Sequence, residues 1–330
     1  MSDQAQGLRS LAHHTKQSSN SVKTIAPSLP KLARTIAITG GKGGVGKSCI
    51  AANMALLLAQ SQHETLLFDA DLGLANAHLL FGVQPELTLD NLLREECALR
   101  DTLMPVAPHL HLLSGATSLT DLRSLSPTRQ ERFTQRFRRL DAFAETVIID
   151  TGAGLSSNVT TFLRTAEEII VVTIPEITAL ADAYATIKVT LSENPSAKVH
   201  LLVNRAQDAR EARFVASRLQ QMTEQFLGTP IGYLGFLPQE EAVRESVRLQ
   251  TPFVLSRPNS LASHQLLAIV HRLGVNPAFG RKRRGVSALL HEKTSPSTQI
   301  LPRERHRARK EQEIEAALWN SIPAMRSCLC

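Results

Sequence analysis

The feature that most constrains this chain is a glycine-rich loop placed between a strand-like segment and a helix-like one. Residues 35–39, TIAIT, predict a buried strand, and they run directly into residues 40–48, GGKGGVGKS, which satisfy the pattern GxxxxGK[ST]. The segment from Ser48 to Gln60 predicts a helix. Glycines let backbone N–H groups converge on phosphate oxygens, and the dipole of the following helix adds to the attraction. The expected phosphate cradle consists of Gly41, Lys42, Gly43, Gly44, Val45, Gly46, Lys47, Ser48 and Cys49.

Beyond this loop, apolar segments of strand length alternate with segments of helix length as far as Leu273. This alternation predicts an α/β fold, with a doubly wound and mostly parallel sheet flanked by helices. Among the helices, three are expected over residues 128–143, 179–191 and 210–226. Ligands of such sheets bind at the carboxyl ends of the strands, so the residues that end each strand are candidates for a site.

Charge divides the 330 residues into a neutral body and basic tails. Residues 1–30 carry three Lys or Arg against one Asp, residues 31–280 carry 23 basic against 24 acidic groups, and residues 281–330 carry 11 against 5. We therefore predict an N-terminal helix and linker over 1–30, a nucleotide-binding domain over 31–280 and a basic tail over 281–330. A neutral body argues against a broad nucleic-acid face, whereas a basic tail predicts an anionic partner.

Composition restricts the compartment. The chain starts with a polar segment that lacks the apolar core of a secretory signal, and no apolar stretch approaches the roughly 20 residues that a membrane span needs. The four cysteines are therefore expected in a reducing cytoplasm, which excludes a disulfide scaffold. We predict a cytoplasmic protein, with peripheral association at the inner face of the cell membrane as an open alternative.

Carboxylates follow two of the predicted strands. Asp69 and Asp71 come on alternate residues after TLLF, and TVIID delivers Asp150, with a glycine hinge at Gly152 and Gly154 behind it. An Asp pair at a strand end is commonly part of a turn or a helix cap. Next to a phosphate loop the same carboxylates can serve Mg²⁺ and water, and we favour this second interpretation.

Lys42 is not required by a simple phosphate loop. With it, residues 42–48 match KGGxGK[ST] and resemble the deviant P-loop ATPase family that includes MinD, ParA and the nitrogenase iron protein. The resemblance implies an ATPase in which two subunits enclose two ATP molecules with Mg²⁺, and in which Lys42 crosses to the partner's phosphates. Lys47 would reach the β and γ phosphates, and Asp71 would orient the attacking water. The implied metal-site residues are Ser48, Asp69 and Asp150.

The same resemblance places the nucleotide base at the ends of two further strands. Asn204 and Arg205 end the segment KVHLLVNR, where the family has an amide that reads the adenine edge. Pro238 lies where the family closes the base pocket. A strand-ending Asn in a turn explains Asn204 equally well from the sequence alone.

Three segments resemble the flagellar number regulators within this family: DADLGLAN at 69–76, DTGAGLSSN at 150–158 and EITALADAYATIK at 176–188. Residues 150–154 resemble the family's second switch. Nitrogenase-type relatives hold an iron–sulfur cluster with a cysteine on each side of that switch, but no cysteine lies between Cys97 and Cys328 here. The resemblance therefore implies a switch ATPase that regulates the number or placement of flagella.

The N-terminus carries a separate match. Residues 3–9 fit DQAxxLR, the segment by which these regulators dock onto and stimulate an FlhF-type GTPase of the signal-recognition class. Further partners implied by the resemblance are a second copy of the chain in the presence of ATP, and flagellar switch components or a flagellar transcription activator. The residues expected to contact the GTPase are Asp3, Gln4, Ala5, Leu8 and Arg9.

Two other functions stay open at this point. A MinD-type division-site regulator would need no DQAxxLR segment, and a ParA-type partition ATPase would hold DNA through basic residues such as 281–284. Nucleic acid is the less expected partner. The tail stripe of Ile314, Leu318 and Ile322 suits an anionic membrane surface, although the interspersed Glu residues make a solvated tail nearly as good an explanation.

Overall fold

One eight-stranded sheet forms the centre of the computed structural model, which describes residues 32–274 except Gly73 and most of 116–137. The strands in chain order are β1 (Arg34–Thr39), β2 (Thr65–Ala70), β3 (Leu103–Ala107), β4 (Leu110–Leu113), β5 (Thr146–Thr151), β6 (Glu168–Thr173), β7 (Lys198–Ala206) and β8 (Gly232–Pro238). Their order across the sheet is β3-β4-β2-β5-β1-β6-β7-β8. The strand that enters the phosphate loop, β1, therefore lies in the interior of the sheet.

All neighbouring strands of this sheet are parallel except β3 and β4. The predicted mostly parallel α/β fold is confirmed. The sequence analysis did not predict β3, the outermost strand, which is only partly buried. It contains Pro105, which lacks an N–H for a sheet ladder and is tolerated at an edge. Its sequence, LMPVA, is otherwise apolar, but a proline in the middle of a run argues against a strand, so the pattern alone did not mark it.

Helices cover both faces of the sheet. The α-helices that the structure describes over their whole length are, in chain order, α1 (Lys47–Gln60), α2 (Leu89–Leu93), α3 (Ser157–Thr165), α4 (Ile177–Glu193), α5 (Ala209–Leu227), α6 (Glu241–Arg248), α7 (Phe253–Ser256) and α8 (Leu261–Arg272). Short 3₁₀ helices occupy Ala77–Phe81, Leu99–Thr102 and Arg138–Ala142. One apolar core is formed with α3, α4 and α5, and the other with α1, α7 and α8.

The helix that follows the phosphate loop, α1, is buried around its whole circumference. Eleven of its 14 residues are buried, and it contacts α7 and α8 as well as the sheet. Asn53 holds it further, because its Oδ1 accepts from the Val254 N–H at 3.0 Å and its Nδ2 donates to the Cys49 carbonyl at 2.8 Å. Interiors are close-packed, so α1 cannot shift without repacking the core.

The helices predicted at 48–60, 179–191 and 210–226 are confirmed as α1, α4 and α5, each within two residues of the expected ends. Of the helix predicted over 128–143, the described residues Thr128, Glu131, Arg132 and Gln135 are helical, Arg138–Ala142 is a 3₁₀ helix, and the residues between them lie outside the described part of the chain.

The N-terminal docking segment and the basic tail also lie outside the described residues. The division into 1–30, 31–280 and 281–330 therefore stays a prediction. Between residues 32 and 274, no helix of the described chain is long and apolar enough to cross a membrane.

At the amino ends of β1 and β6, opposite the phosphate loop, Arg34 forms a buried ion pair with Glu168. The Arg34 Nη2 lies 2.8 Å from each Glu168 oxygen and donates to the Leu273 carbonyl at 2.6 Å, so it joins β1, β6 and the end of α8. Burial alone would raise the pKa of Glu168. Hydrogen bonds from His200 and Arg34 outweigh that effect and lower the pKa to about 2.

Candidate active site

Close packing explains two glycines of the phosphate loop. Gly46 has a φ of 99°, and a Cβ at this position would overlap the Asn204 amide of β7. A Cβ on Gly41 would overlap the backbone of Asp182 in α4. Left-handed backbone and close approach are both conditions that glycine meets at no steric cost. The loop is therefore held between the end of β7 and the first turns of α4.

Lys47, the first residue of α1, lies inside this loop. Its side chain is buried, and its Nζ is 3.5 Å from the Lys42 carbonyl. Burial lowers the pKa of Lys47, while the negative charges of Asp150 and Asp71 act in the opposite direction. The ammonium group thus lies between the loop backbone and two carboxylates, where it can hold phosphate.

Asp150, in β5, carries a buried carboxyl group. Neither of its carboxylate oxygens has a hydrogen-bond donor in bonding geometry among the described residues. Burial, reinforced by the charge of Asp69, raises the pKa of Asp150 to about 8, and the nearby Ser48 hydroxyl and Lys47 charge offset only part of that rise. A carboxylate in this condition is a fitting ligand for a divalent cation.

Asp69 lies beside Asp150, because the two residues are in register on the paired strands β2 and β5. Its Oδ2 accepts from the Ala77 N–H at 2.8 Å and its Oδ1 from the Asp71 N–H at 3.2 Å. Burial raises the pKa of Asp69 to about 6 against the effect of these hydrogen bonds. Asp69 therefore fixes the backbone of the segment that carries Asp71.

The residues present fit Mg²⁺. No group of three or more His, Cys, Asp or Glu side chains in the described residues is arranged to hold a metal alone. Mg²⁺ bound to a nucleotide takes one or two protein ligands and completes its shell with phosphate oxygens and water. Ser48 and Asp150, on neighbouring elements at the mouth of the loop, satisfy this requirement.

Asp71 lies against the glycine hinge that follows β5. A Cβ built on Gly152 would be 2.9 Å from the Asp71 Oδ1 and 3.2 Å from its Cγ. The segment that follows β2 is thus in direct contact with the segment that follows β5.

Lys42 leaves the loop in the direction of α4. Its Nζ forms an ion pair with the Glu176 Oε2 at 2.6 Å and donates to the Thr178 hydroxyl at 3.2 Å. The pair is well exposed, with 39% of the Lys42 side chain and 54% of the Glu176 side chain accessible. In the isolated chain, then, this lysine is held by its own subunit.

The strand-end residues predicted to meet the base come together in one cavity. It has a volume of about 390 Å³, with mostly apolar walls, at the end of the phosphate loop. Arg205 has a φ of 55°, and the register of β7 with β8 shifts just there, so the strand end bulges. The cavity brings together Gly46, Cys49, Asn204, Arg205 and Pro238 from the predicted set.

The Asn204 amide is oriented by the backbone. Its Nδ2 donates to the Val45 carbonyl at 2.7 Å, and its Oδ1 accepts from the Arg205 N–H at 2.9 Å. A side-chain amide has two donors and two acceptor sites, so one of each is left for a ligand.

Several cavity residues were missed by sequence reasoning. They come from the segment after β8. The sequence feature that could have indicated them is their position directly after the carboxyl end of a strand, where ligands of parallel sheets bind. Glu240 accepts from the Ala262 N–H at 2.9 Å and so joins the cavity rim to the start of α8. Glu176 and Thr178 were noted for their resemblance but not as contacts of Lys42. The missed lining includes Gln239, Glu240, Val243, Arg244, Val247, Arg248 and Phe253.

Comparison with known proteins agrees with this geometry. The model of the family described as CobQ/CobB/MinD/ParA nucleotide binding domain matches residues 36–253. The chain is 34% identical over 240 residues to the antiactivator FleN of Pseudomonas aeruginosa, covering 73% of this chain and 86% of that protein. It is 31% identical over 233 residues to the flagellum site-determining protein YlxH of Helicobacter pylori, covering 70% and 78%.

A solved structure has the same fold. The septum site-determining protein MinD of Pyrococcus horikoshii, complexed with Mg-ADP, aligns with a TM-score of 0.62 at 24% identity, covering 74% of this chain and 97% of that one. The family expected from the lysine-bearing loop is therefore confirmed. The chain belongs to the CobQ/CobB/MinD/ParA nucleotide-binding family, as a MinD-like P-loop ATPase of the flagellar number regulator branch.

Proposed function

We propose that this chain is an ATP-dependent switch that dimerises with ATP and Mg²⁺, changes its partners, and so regulates the number or placement of flagella. The observation that carries the proposal is the buried Asp150 carboxylate, which faces Ser48 and Lys47 and has no donor in bonding geometry among the described residues. The divalent cation that accompanies a nucleotide would supply a positive charge to this carboxylate, and the Lys47 ammonium and loop N–H groups would hold the negative phosphates.

Each group of the site then has a task in hydrolysis. The N–H groups of residues 41–48 and the Lys47 ammonium hold the phosphate oxygens. Ser48 and Asp150 would hold Mg²⁺, which supplies neutralising charge to the phosphates when bound, and Asp69 supports that shell. Asp71 orients the attacking water, and its backbone is fixed for this task by Asp69.

The base contacts follow from the orientation of Asn204. Its remaining donor and acceptor match the acceptor N7 and the donor amino group on one edge of adenine. The apolar walls of the cavity, with Pro238 at the end of β8, suit a flat ring. Arg205, exposed on the bulge, lies at the rim of the same cavity.

Dimerisation requires Lys42 to leave Glu176. Exposed ion pairs contribute only about 0–1 kcal/mol, so the triphosphate of a partner's nucleotide can compete for this lysine at little cost. We infer that Lys42 exchanges its own subunit's carboxylate for the partner's phosphates, which couples the dimer to the bound ATP.

The flagellar role is supported by the two relatives whose names are FleN, an antiactivator, and YlxH, a flagellum site-determining protein. We infer that residues 3–9 stimulate an FlhF-type GTPase. Flagellar switch components or a flagellar transcription activator are further partners, and residues 281–330 would give a cytoplasmic protein a peripheral contact with anionic lipid.

Size-exclusion chromatography with light scattering, with and without Mg-ATP, tests the switch. The parent protein should dimerise with ATP, and Lys47→Ala should lose nucleotide binding. Lys42→Ala should bind ATP but stay monomeric, while Asp71→Ala should accumulate as an ATP-bound dimer. Lys198→Ala, at the exposed start of β7, is the matched control and should behave as the parent. A Lys42→Ala protein that dimerises and turns over ATP normally would contradict the proposal.

The flagellar assignment has its own test, with a synthetic peptide of residues 1–20 and an FlhF-type GTPase. The peptide alone should raise the GTPase rate. Leu8→Ala should weaken the stimulation more than tenfold, because burial of a leucine is worth about 1.5–3 kcal/mol. Gln6→Ala, at a variable position of the motif, is the control. An unchanged rate at saturating peptide leaves the ATPase proposal intact and removes the GTPase from it.

A further inference from the structure

We propose that Gly152 is a positioning residue for Asp71: because it has no side chain, the Asp71 carboxylate can lie directly against the backbone of the segment after β5. The inference deepens the proposed function, since it takes from it the role of Asp71 in orienting water. The contact carries the argument, because a Cβ on Gly152 would be 2.9 Å from Oδ1, 3.2 Å from Cγ and 3.6 Å from Oδ2 of Asp71. The space that a side chain would occupy is filled by this carboxylate.

The backbone on both sides of Gly152 is fixed. The Thr151 hydroxyl donates to the Ile38 carbonyl of β1 at 3.1 Å. Two residues further on, the Gly154 N–H donates to the Gly40 carbonyl at the start of the phosphate loop at 3.4 Å. A methyl group at position 152 therefore cannot be accommodated by a shift of its own backbone without breaking contacts to β1 or to the loop.

The Asp71 side chain is the part that can yield. Its backbone is held, since its N–H donates to Asp69 at 3.2 Å and its carbonyl accepts from the Leu74 N–H at 3.2 Å. Its carboxylate, only partly buried, can rotate away. Gly152→Ala should thus displace the Asp71 carboxylate while leaving the phosphate cradle in place, because the nearest atoms to the added Cβ all belong to Asp71.

This contact also links the segments that follow β2 and β5. Asp71 follows β2 and Gly152 follows β5, and each of these strands pairs with the other along its full length. Because the Gly154 N–H is bonded to the Gly40 carbonyl, the backbone at Gly152 is tied to the start of the phosphate loop. The position of the Asp71 carboxylate therefore depends on a segment that is itself held by the loop.

Steady-state ATPase kinetics of Gly152→Ala give the first test. We expect kcat to fall at least tenfold while the KM for ATP stays within twofold, since the phosphate cradle and the base cavity are untouched. A kcat within twofold of the parent would overturn the inference. If Asp71→Ala itself keeps full turnover, the proposed role of Asp71 in hydrolysis is wrong. The unfolding experiment alone then tests whether the Asp71 carboxylate packs against Gly152.

Thermal unfolding of a double-mutant cycle isolates the contact. Gly152→Ala should lower Tm in the parent and in Asp71→Asn, which keeps the size of the side chain. In Asp71→Ala the same change should leave Tm unchanged or raise it, because alanine restricts the unfolded chain more than glycine does. An equal loss of Tm in all three backgrounds would overturn the inference. Failure of the single variant to fold, with recovery in Asp71→Ala, would support it, and failure of both would refute it.

Discussion

Replacing Asp150 with Asn should stabilise the ligand-free protein, and the gain should grow as the pH rises. Burial and the charge of Asp69 raise the pKa of Asp150 from 3.8 to about 8, whereas the unfolded chain ionises near the lower value. A folded pKa above the unfolded one means that the group's contribution to stability is complete below pH 3.8 and is lost as the pH rises toward 8. Asparagine keeps the shape of the protonated acid and has nothing to ionise.

The size of the effect follows from the same values. Within this window each pH unit costs the parent protein about 1.4 kcal/mol of unfolding free energy. From pH 5 to pH 7 the loss is about 3 kcal/mol, which in a domain of this size corresponds to roughly 5–10 °C in Tm. The gap in Tm between Asp150→Asn and the parent should therefore widen by that amount.

The assay is thermal unfolding of both proteins in steps from pH 5 to pH 8, without nucleotide or Mg²⁺. Glu86→Gln, which removes an exposed carboxylate outside the site, is the control, and its gap to the parent should stay constant. Addition of Mg-ATP at pH 7 should raise the Tm of the parent, and should raise the Tm of Asp150→Asn by less, because asparagine keeps the phosphate cradle but weakens the metal contact. A difference in Tm between Asp150→Asn and the parent that stays the same from pH 5 to pH 7 would refute the reasoning.

Three further predictions use other groups. Glu168→Gln should lower the free energy of unfolding by about 3–5 kcal/mol at pH 7, because it leaves the Arg34 guanidinium buried without a carboxylate. The pKa of Glu168 is lowered from 4.5 to about 2, so its stabilisation is present above pH 4.5 and lost as the pH falls toward 2. The difference in Tm between the variant and the parent should therefore narrow in acid. Burial raises the pKa of the Cys49 thiol to about 12, so little of it is thiolate at pH 8; mass spectrometry should find this partly buried residue of the cavity wall only slowly alkylated in the native protein, and rapid labelling would contradict the raised pKa. Binding of Mg-ATP at pH 7 should release protons from Asp150, and calorimetry in buffers of different ionisation enthalpy would contradict this if the heats were equal.

The site residues that sequence reasoning could locate are those that end a buried parallel strand. Asp69 and Asp150 are each preceded by an unbroken apolar run, and parallel pairing brings both runs to one edge of the sheet, beside the phosphate loop. Asn204 and Pro238 were assigned to the base site by the family resemblance, and both line one cavity. For the two aspartates, the local apolar pattern predicts the strand, and parallel pairing then determines which strand ends lie next to each other.

The contacts that escaped prediction depend on packing between elements far apart in the chain. Lys42 pairs with Glu176, 134 residues away, because α4 happens to begin beside the loop. The Asn204 amide donates to the Val45 carbonyl, and this hydrogen bond sets the orientation of the amide. No sequence pattern indicates such a contact. Phe253 reaches the cavity from a helix of four residues, too short to show a periodic pattern.

The burial of α1 on all sides limits what distinguishes ATP from ADP. A cradle that is already fixed loses little conformational entropy when phosphate binds, so it favours both nucleotides alike. A ligand can shift an equilibrium only by its differential affinity for two states, and the two nucleotides differ only in the γ-phosphate. The discrimination must therefore arise at groups that can move, which here are the exposed Lys42 side chain and the partly buried Asp71 carboxylate beside Gly152. The rigid part of the site therefore sets the affinity for nucleotide, and the groups that can move determine whether ATP and ADP stabilise different states of the protein.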